Sequence, residues 1–294
     1  MKPKSILVAL SDARDETFER ALVLAREADA DLNVLHVIPA NTPFALRAAE
    51  RLRRADALRA RGAAVGVSVH TVERHGDPAR SIAHYATARA ADLIVMGADH
   101  RSRWARLGRR SIAERVLRLA KQPILVVPSD DRNSGAFERI LVAVDLSPAS
   151  GAMVSASLDL LGGDARKLMV FHAVDTLEAT GALLNRSRWV IPEYRDYILA
   201  GARQELETVV ASNDDERLEP RLRVAAGPAA ETIVSTAAAV AADLIVIGTS
   251  RRALHVGATA SRLLRTADRP LLVLPEAVTA RARRREESPR ADAA

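Results

Sequence analysis

Small and acidic residues follow several apolar runs of this chain, and their types fit the binding of a phosphate or another anion. Gly97 and Gly248 each close a run of the form Asp-Leu-Ile-Val-x-Gly. Ser11-Asp12 and Asp145 follow two other runs. A glycine lets the backbone approach a phosphate closely, and N–H groups at the start of a following helix stabilise the anion. No motif of the forms GxxxxGK[ST], GxSxG or HExxH occurs, so the residues predict ligand binding and not catalysis.

Four apolar runs occur twice in the same order, and the second set follows the first by about 140 residues. This spacing predicts two tandem copies of one folded unit. The paired runs are Lys4–Leu10 with Arg139–Asp145, Leu32–Ile38 with Leu168–Val174, Asp92–Gly97 with Asp243–Gly248, and Gln122–Pro128 with Arg269–Pro275. We expect a first domain over 1–130, a linker over 131–138, a second domain over 139–276 and a disordered tail over 277–294.

Within each copy, short strands alternate with amphipathic helices. Near-continuous apolar strands are typical of a parallel sheet that helices cover on both faces. The strands are predicted near 4–10, 32–38, 65–72, 92–96 and 123–127, then near 139–144, 167–174, 218–225, 243–247 and 270–274. The helices are predicted near 14–28, 44–61, 78–90 and 111–121, then near 148–161, 193–211, 228–241 and 258–267. Asp77-Pro78, Ser147-Pro148 and Gly227-Pro228 predict helices that begin at the proline. The fold class is α/β, with two tandem doubly wound parallel sheets of five strands.

The amino-acid composition excludes several kinds of site and several classes of protein. The 294 residues are 48% hydrophobic but only 3% aromatic, so the cores must be built from Val, Leu, Ile and Ala. The chain has no cysteine, which excludes disulfides and thiolate metal sites. No apolar run reaches the roughly 18 residues of a membrane span, and we read the N-terminal run as a strand, so we expect a cytoplasmic protein. The net charge of +6 does not indicate nucleic acid, because acidic residues are interspersed and few aromatics could stack on bases.

Both copies resemble universal stress protein domains, and the resemblance covers nearly the whole chain except the tail. It rests on Asp92–Gly97, Ser111–Val116 and Gln122–Pro128 in the first copy, and on Asp145–Pro148 and Asp243–Gly248 in the second. It implies adenine-nucleotide α-hydrolase-like sheets with the strand order 3-2-1-4-5. It also implies that the last strands of the two domains pair across a pseudo-twofold axis. We therefore expect an intramolecular pseudo-dimer, and a further homodimer stays open.

The resemblance also implies an ATP-binding loop of the form GxxG-(nine residues)-G[ST], which the first copy matches in length alone. Gly97 and Ser111 match, but His100 and Arg110 stand at the second and third glycine positions. Ser11 replaces the aspartate that would hold the ribose, with Asp12 one position later, and Val37 supplies the backbone that follows the histidine of the second strand. Arginines crowd the loop over 98–110 and could bind an anion by charge or form a solvated rim.

The second copy departs from the loop in another way. Asp145 and Gly248 match, and Ala173 follows the histidine of the second strand. Only eight residues separate Gly248 from Gly257, so the loop is too short to wrap a triphosphate. Ala258 then replaces the hydroxyl residue, with Thr259 one position further on.

These departures predict a non-catalytic stress-response or regulatory protein with degenerate ATP-binding loops and no required cofactor. One alternative is an adenine-nucleotide-binding protein that uses ATP or AMP in the second domain. Another is a protein-interaction scaffold, in which the insert at 175–192 and the last strands contact unidentified protein partners. No metal site is expected, because no cluster of His, Asp and Glu recurs in the two copies.

Overall fold

The structure is a computed structural model that describes residues 2–10, 15–39, 48–98, 111–131, 135–160, 167–175, 192–211, 220–249 and 257–276. Ser11, Asp12, nearly all of the arginine-rich loop, most of the insert and the tail lie outside these residues. By its contacts the chain divides into two compact units. The first comprises Met1–Ala136, Arg251–Val256 and Ala267–Val273, and the second comprises Phe137–Ser250, Gly257–Thr266 and Leu274–Ala294.

The first unit is a parallel sheet with helices between its strands. The strands are β1 (Ser5–Leu10), β2 (Asp31–Ile38), β3 (Val69–His75), β4 (Leu93–Gly97) and β5 (Ile124–Val127). The helices are α1 (Glu16–Ala28), α2 (Ala48–Ala64), α3 (Pro78–Ala88) and α4 (Ile112–Leu119). The strand order is β3-β2-β1-β4-β5 with parallel neighbours throughout, as expected. Leu271–Val273, which also belong to this unit, pair antiparallel with Ile124–Val126, as the resemblance implied for the final strands.

The second unit repeats the arrangement. Its strands are β6 (Ile140–Val144), β7 (Leu168–Val174), β8 (Arg221–Ala226) and β9 (Leu244–Thr249), and β10 (Leu271–Pro275) ends in it. Its helices are α5 (Ser150–Leu160), α6 (Pro192–Ala211), α7 (Ala229–Ala239) and α8 (Ala258–Thr266). The strands β8-β7-β6-β9 are parallel neighbours in that order, which corresponds to 3-2-1-4 of the first unit.

The same backbone contacts recur at equivalent positions of the two units. Ile6 pairs with Leu32 and Leu93, and Ile140 pairs with Leu168 and Leu244. The cores are built as composition predicts, because the central strands bury Val, Leu and Ile almost completely. The tandem repeat inferred from the sequence is therefore a repeat of structure down to the register of the strands.

Several predicted boundaries differ from the structure by one to four residues. Strand β3 starts at Val69 and not near 65, because Gly66 at φ +76° ends α2 and the Val67 N–H donates to the Gly62 carbonyl at 2.9 Å. Helix α5 starts at Ser150, two residues after Pro148. Helix α7 starts at Ala229, with Pro228 at the N-cap. Only Asp77-Pro78 begins a helix as predicted.

Candidate functional site

The candidate site of the second unit lies at the carboxyl end of its sheet. Asp145 follows β6, Ala173 is the penultimate residue of β7, and Gly248 is the penultimate residue of β9. Because the three strands are parallel neighbours, these positions share one edge of the sheet, where ligands bind in open α/β folds. Gly257 directly precedes α8 and Thr259 lies in its first turn. The structure thus brings Asp145, Ala173 and Gly248 to one edge.

Asp145 is an exposed carboxylate that accepts hydrogen bonds from two serines. The Ser147 N–H donates to Oδ1 at 3.0 Å, and the Ser150 hydroxyl donates to the same oxygen at 3.2 Å. Partial burial acts to raise the pKa of Asp145, but hydrogen bonds from the Ser147 hydroxyl, the Ser147 N–H and the Ser150 hydroxyl outweigh it and hold the pKa below its usual value. The carboxylate is therefore ionised near neutral pH. No Lys or Arg among the described residues forms an ion pair with it.

The backbone at Asp145 is held in an uncommon conformation. Leu146 has φ +58°, in the left-handed region of backbone conformation that residues other than glycine, Asn and Asp seldom adopt. The Ser147 bond to Asp145 closes the turn around it. Ser147 and Ser150 were not among the predicted site residues, although the pattern Asp-x-Ser after a strand is the sequence signal for such a turn.

His172, the histidine of β7, extends the site toward Ala173. Its Nδ1 lies 2.8 Å from the carbonyl oxygen of Val144, the residue before Asp145. Since a carbonyl can only accept, Nδ1 carries a proton and donates it. This bond joins the end of β7 to the end of β6 and fixes the ring beside the residues that lead into Asp145. His172 and Ala173 are both half-buried.

Gly248 and Gly257 differ in the space that is available for a side chain. A Cβ built on Gly248 would lie 2.8 Å from the Sδ atom of Met153, a buried residue of α5. Packing against α5 therefore explains the glycine at 248 without a ligand. A Cβ built on Gly257 would meet nothing within 4 Å. Gly257 is exposed, and its carbonyl accepts the Ser261 N–H at 2.9 Å as the first bond of α8.

The first turn of α4 contains an acidic residue, whereas the first turn of α8 contains none. In the first unit, the Ser111 hydroxyl accepts the Glu114 N–H at 3.1 Å, and the Ser111 N–H donates to Glu114 Oε2 at 3.2 Å. This capping box places a buried carboxylate where a phosphate would approach the helix. The first turn of α8 contains no acidic residue. The backbone N–H groups favour an anion at α8, whereas the Glu114 carboxylate opposes a second anion at α4.

The other predicted residues of the first unit give a less complete site. Gly97 ends β4 and Val37 lies near the end of β2, at the same edge of the sheet. Ser111 is present at the start of α4, but its hydroxyl is used within the capping box. Ser11 and Asp12 lie outside the described residues, so the positions equivalent to Asp145 are not placed.

The described ranges contain neither a candidate metal site nor a candidate membrane span. No group of three or more His, Asp or Glu residues there could hold a metal ion. None of the helices described is both long enough and apolar enough to cross a membrane.

Comparison with known proteins identifies the fold family. The model of the universal stress protein family matches residues 2–128 and again residues 136–275. A universal stress protein of Methanocaldococcus jannaschii is 32% identical over 130 residues, which are 40% of this chain and 76% of that protein. A universal stress protein of Bacillus subtilis is 27% identical over 143 residues, 42% of this chain and 97% of that protein. The solved structure of a universal stress protein from Archaeoglobus fulgidus is similar with a TM-score of 0.68 and 17% identity, covering 92% of this chain and 96% of that one. The two matches of the family model span nearly all of the sequence, and the chain belongs to the universal stress protein family.

Proposed function

We propose that this protein is a regulatory, non-catalytic member of its family, and that its second unit binds an adenine mononucleotide such as AMP. The observation that carries the nucleotide site is the arrangement of Asp145. Its Oδ1 accepts hydrogen bonds from the Ser147 N–H and the Ser150 hydroxyl, and no Lys or Arg among the described residues neutralises the carboxylate. An ionised oxygen at the carboxyl end of a parallel sheet is suited to accept hydrogen bonds from the hydroxyls of a ribose.

The start of α8 supports a phosphate group at the same edge. Its first turn has no acidic residue, and Gly257 leaves space where a side chain would stand. Backbone N–H groups at a helix N-terminus bind anions without a basic side chain. Because only eight residues separate Gly248 from Gly257, we expect one phosphate to be held and not three.

The first unit has a different role in this proposal. The Glu114 carboxylate takes the place of an anion at α4, so that a nucleotide phosphate there would face a like charge. We expect the first unit to take up no nucleotide at this edge. The chain then carries one nucleotide site in two similar units.

Calorimetric titration of the full chain with AMP, cAMP and ATP–Mg²⁺ tests the proposal. We expect AMP to bind with a stoichiometry of one and ATP to bind more weakly. Asp145→Asn keeps the turn but removes the charge, and should weaken AMP binding about tenfold. Asp196→Asn, at an exposed carboxylate of α6, is the control and should leave binding unchanged. Equal AMP affinity in both variants, or ATP hydrolysis that Asp145→Asn abolishes, would contradict the proposal.

We also propose that the two units act as an intramolecular pseudo-dimer. In the first unit, the edge of β5 is covered by Leu271–Val273. A fragment of residues 1–130 lacks this strand and exposes an apolar edge, which favours pairing with a second copy. Size-exclusion chromatography should show that the fragment dimerises or aggregates. A stable monomer would contradict this part of the proposal.

A further inference from the structure

A groove in the first unit lies away from the edge that holds the candidate nucleotide site. It has a volume of about 270 Å³ and is lined by residues near the starts of β2 and β3, by Arg59 of α2 and by the end of α3. Asn33 is the third residue of β2, and its register partner His70 is the second residue of β3. The groove therefore opens toward the amino ends of these strands, the end opposite to Val37 and Gly97.

Tyr85 of α3 contributes a polar group that nothing in the unliganded protein satisfies. The residue is only 4% exposed, and its hydroxyl has no hydrogen-bond partner among the described residues. A buried hydroxyl without a partner is costly, so entry of a hydrogen-bonding group beside it would be favoured. Tyr85 is one of the residues that line the groove, so a group that enters the groove lies beside this side chain.

Two guanidinium groups lie against the same ring. The Arg89 Cζ is 5.6 Å from the centroid of the Tyr85 ring, and the Arg74 Cζ is 5.9 Å from it. Neither arginine forms an ion pair with a described carboxylate. Their positive charge is therefore concentrated at Tyr85 without local compensation, a setting that attracts anions.

The remaining polar lining consists mainly of donors. Arg59 donates to Thr71 and also to Asp56 at 2.8 Å, and the Asn33 amide donates to the Ser5 hydroxyl at 3.3 Å. No carboxylate stands among the residues that line the groove. We propose that this groove binds a small oxyanionic metabolite, one that carries carboxylate or phosphate groups, through Arg89, the Tyr85 hydroxyl and His70.

The second unit provides an internal comparison. The C-cap residue of α3, Arg89, donates its N–H to the Tyr85 carbonyl, and the C-cap residue of α7, Val240, donates to that of Thr236. Thr236 and Val240 are thus the counterparts of Tyr85 and Arg89. Met169, whose register partner is Arg221, is the counterpart of Asn33. The tyrosine, the guanidinium and the amide occur together only in the first unit, so the groove is a feature of that unit and not of the shared fold.

The size of the groove limits the ligand. At about 30 Å³ per water molecule, 270 Å³ corresponds to roughly nine waters. This is near the lower end of the volumes of small-molecule pockets, about 300 Å³. We therefore expect a compact polyanion, and the proposal does not depend on nucleotide binding in the second unit.

Titration of the full chain with inorganic phosphate and with citrate, at a fixed ionic strength of about 0.15 M, tests the proposal. We expect saturable binding of at least one probe, and the tighter of the two identifies a phosphate or a carboxylate ligand. Arg89→Gln should weaken binding about tenfold, and Arg89→Lys should weaken it less. Arg53→Gln, at an exposed arginine of α2, is the charge-matched control and should leave binding unchanged.

A second variant separates binding from folding. Tyr85→Phe removes a hydroxyl that has no partner in the unliganded protein, so the Tm should be unchanged or higher while binding weakens several-fold. Asp145→Asn should not affect either probe. Absence of saturable binding up to about 10 mM, where a site with a Kd of about 1 mM is nearly full, would overturn the proposal. Equal affinities for Arg89→Gln and Arg53→Gln would also overturn it.

Discussion

Arg20 of α1 and Asp131 form an ion pair that is almost completely removed from solvent. The Arg20 side chain is 1% exposed and that of Asp131 8%, and Nη2 lies 2.9 Å from Oδ2. Nε donates to the same oxygen at 3.2 Å, and Nη1 donates to the Gly135 carbonyl at 2.5 Å. The buried Arg20 side chain therefore binds both ends of the segment 131–135.

Removing one partner of this pair should destabilise the protein strongly. Asp131→Ala removes a buried carboxylate that pairs with the buried Arg20 guanidinium, and we expect the free energy of unfolding to fall by about 3–5 kcal/mol. Arg203→Ala breaks the exposed pair with Glu207 and should cost less than about 1 kcal/mol. Urea denaturation of both variants measures the difference. Equal costs would mean that the buried pair contributes no more than a surface pair.

Asp92 and Asp243 hold the starts of β1 and β6 in equivalent but not identical ways. Oδ2 of Asp92 alone accepts the N–H groups of Lys4 and Ser5, at 2.8 and 3.0 Å. Asp243 uses both oxygens, Oδ2 for Glu138 at 2.8 Å and Oδ1 for Arg139 at 3.0 Å. Alanine should therefore cost about 1–3 kcal/mol at either position.

Asparagine should distinguish the two aspartates. At Asp92 the amide oxygen can accept both bonds, so Asp92→Asn should be mild. At Asp243 the amide nitrogen would face a backbone N–H, so Asp243→Asn should cost nearly as much as alanine. Thermal unfolding of the four single variants provides the measurement. A larger loss for Asp92→Asn than for Asp243→Asn would refute this reading of the geometry.

Gly248 and Gly257 should respond differently to alanine. Gly248→Ala brings a Cβ to 2.8 Å from the Sδ atom of Met153, and moving that buried side chain should cost about 1 kcal/mol or more. Gly257→Ala meets nothing and should lower stability by less than this while weakening AMP binding. Met153→Val should restore part of the stability of Gly248→Ala. If Gly257→Ala leaves AMP affinity unchanged, α8 does not hold the phosphate.

Acid should weaken the fold through carboxylates whose pKa is lowered. The backbone N–H of Arg80, at 3.0 Å, and then the guanidinium of Arg115, at 2.7 Å, hold the pKa of Asp77 below its usual value against partial burial, which raises it. A lowered folded-state pKa contributes stability that is complete above the unfolded-state value of about 3.9 and is lost as the pH falls through the folded value.

The substitution Asp77→Asn isolates this contribution, because asparagine also caps helices well. We expect the variant to lose less stability than the wild type between about pH 5 and pH 3. Asp31→Asn, at an exposed carboxylate, serves as control and should follow the wild type. Parallel pH profiles for Asp77→Asn and the wild type would show that Asp77 does not contribute to acid sensitivity.

The candidate site was predictable where it depends on chain order. A carboxylate after the first strand of a repeat and a glycine at the end of its fourth strand meet at one edge of any parallel sheet of this order, so Asp145 and Gly248 could be named from the sequence. The box formed by Ser111 and Glu114 was also visible as S-x-x-E. Its consequence for anion binding depends on the burial of the Glu114 carboxylate at the start of α4, which only the fold shows.

The sequence by itself determined the two α/β repeats, the apolar strands and the residues that end them. These features depend on hydrophobic periodicity and turn-forming residues, which involve only neighbouring positions of the chain. Only the tertiary structure decided that Arg20 is buried against Asp131, that Met153 is what requires Gly248, and that Tyr85 and Arg89 line a groove. The physical reason is that these contacts join residues far apart in the chain. A charged residue on an amphipathic helix has the same local pattern whether its partner is water or a buried carboxylate, and only packing brings that partner to it.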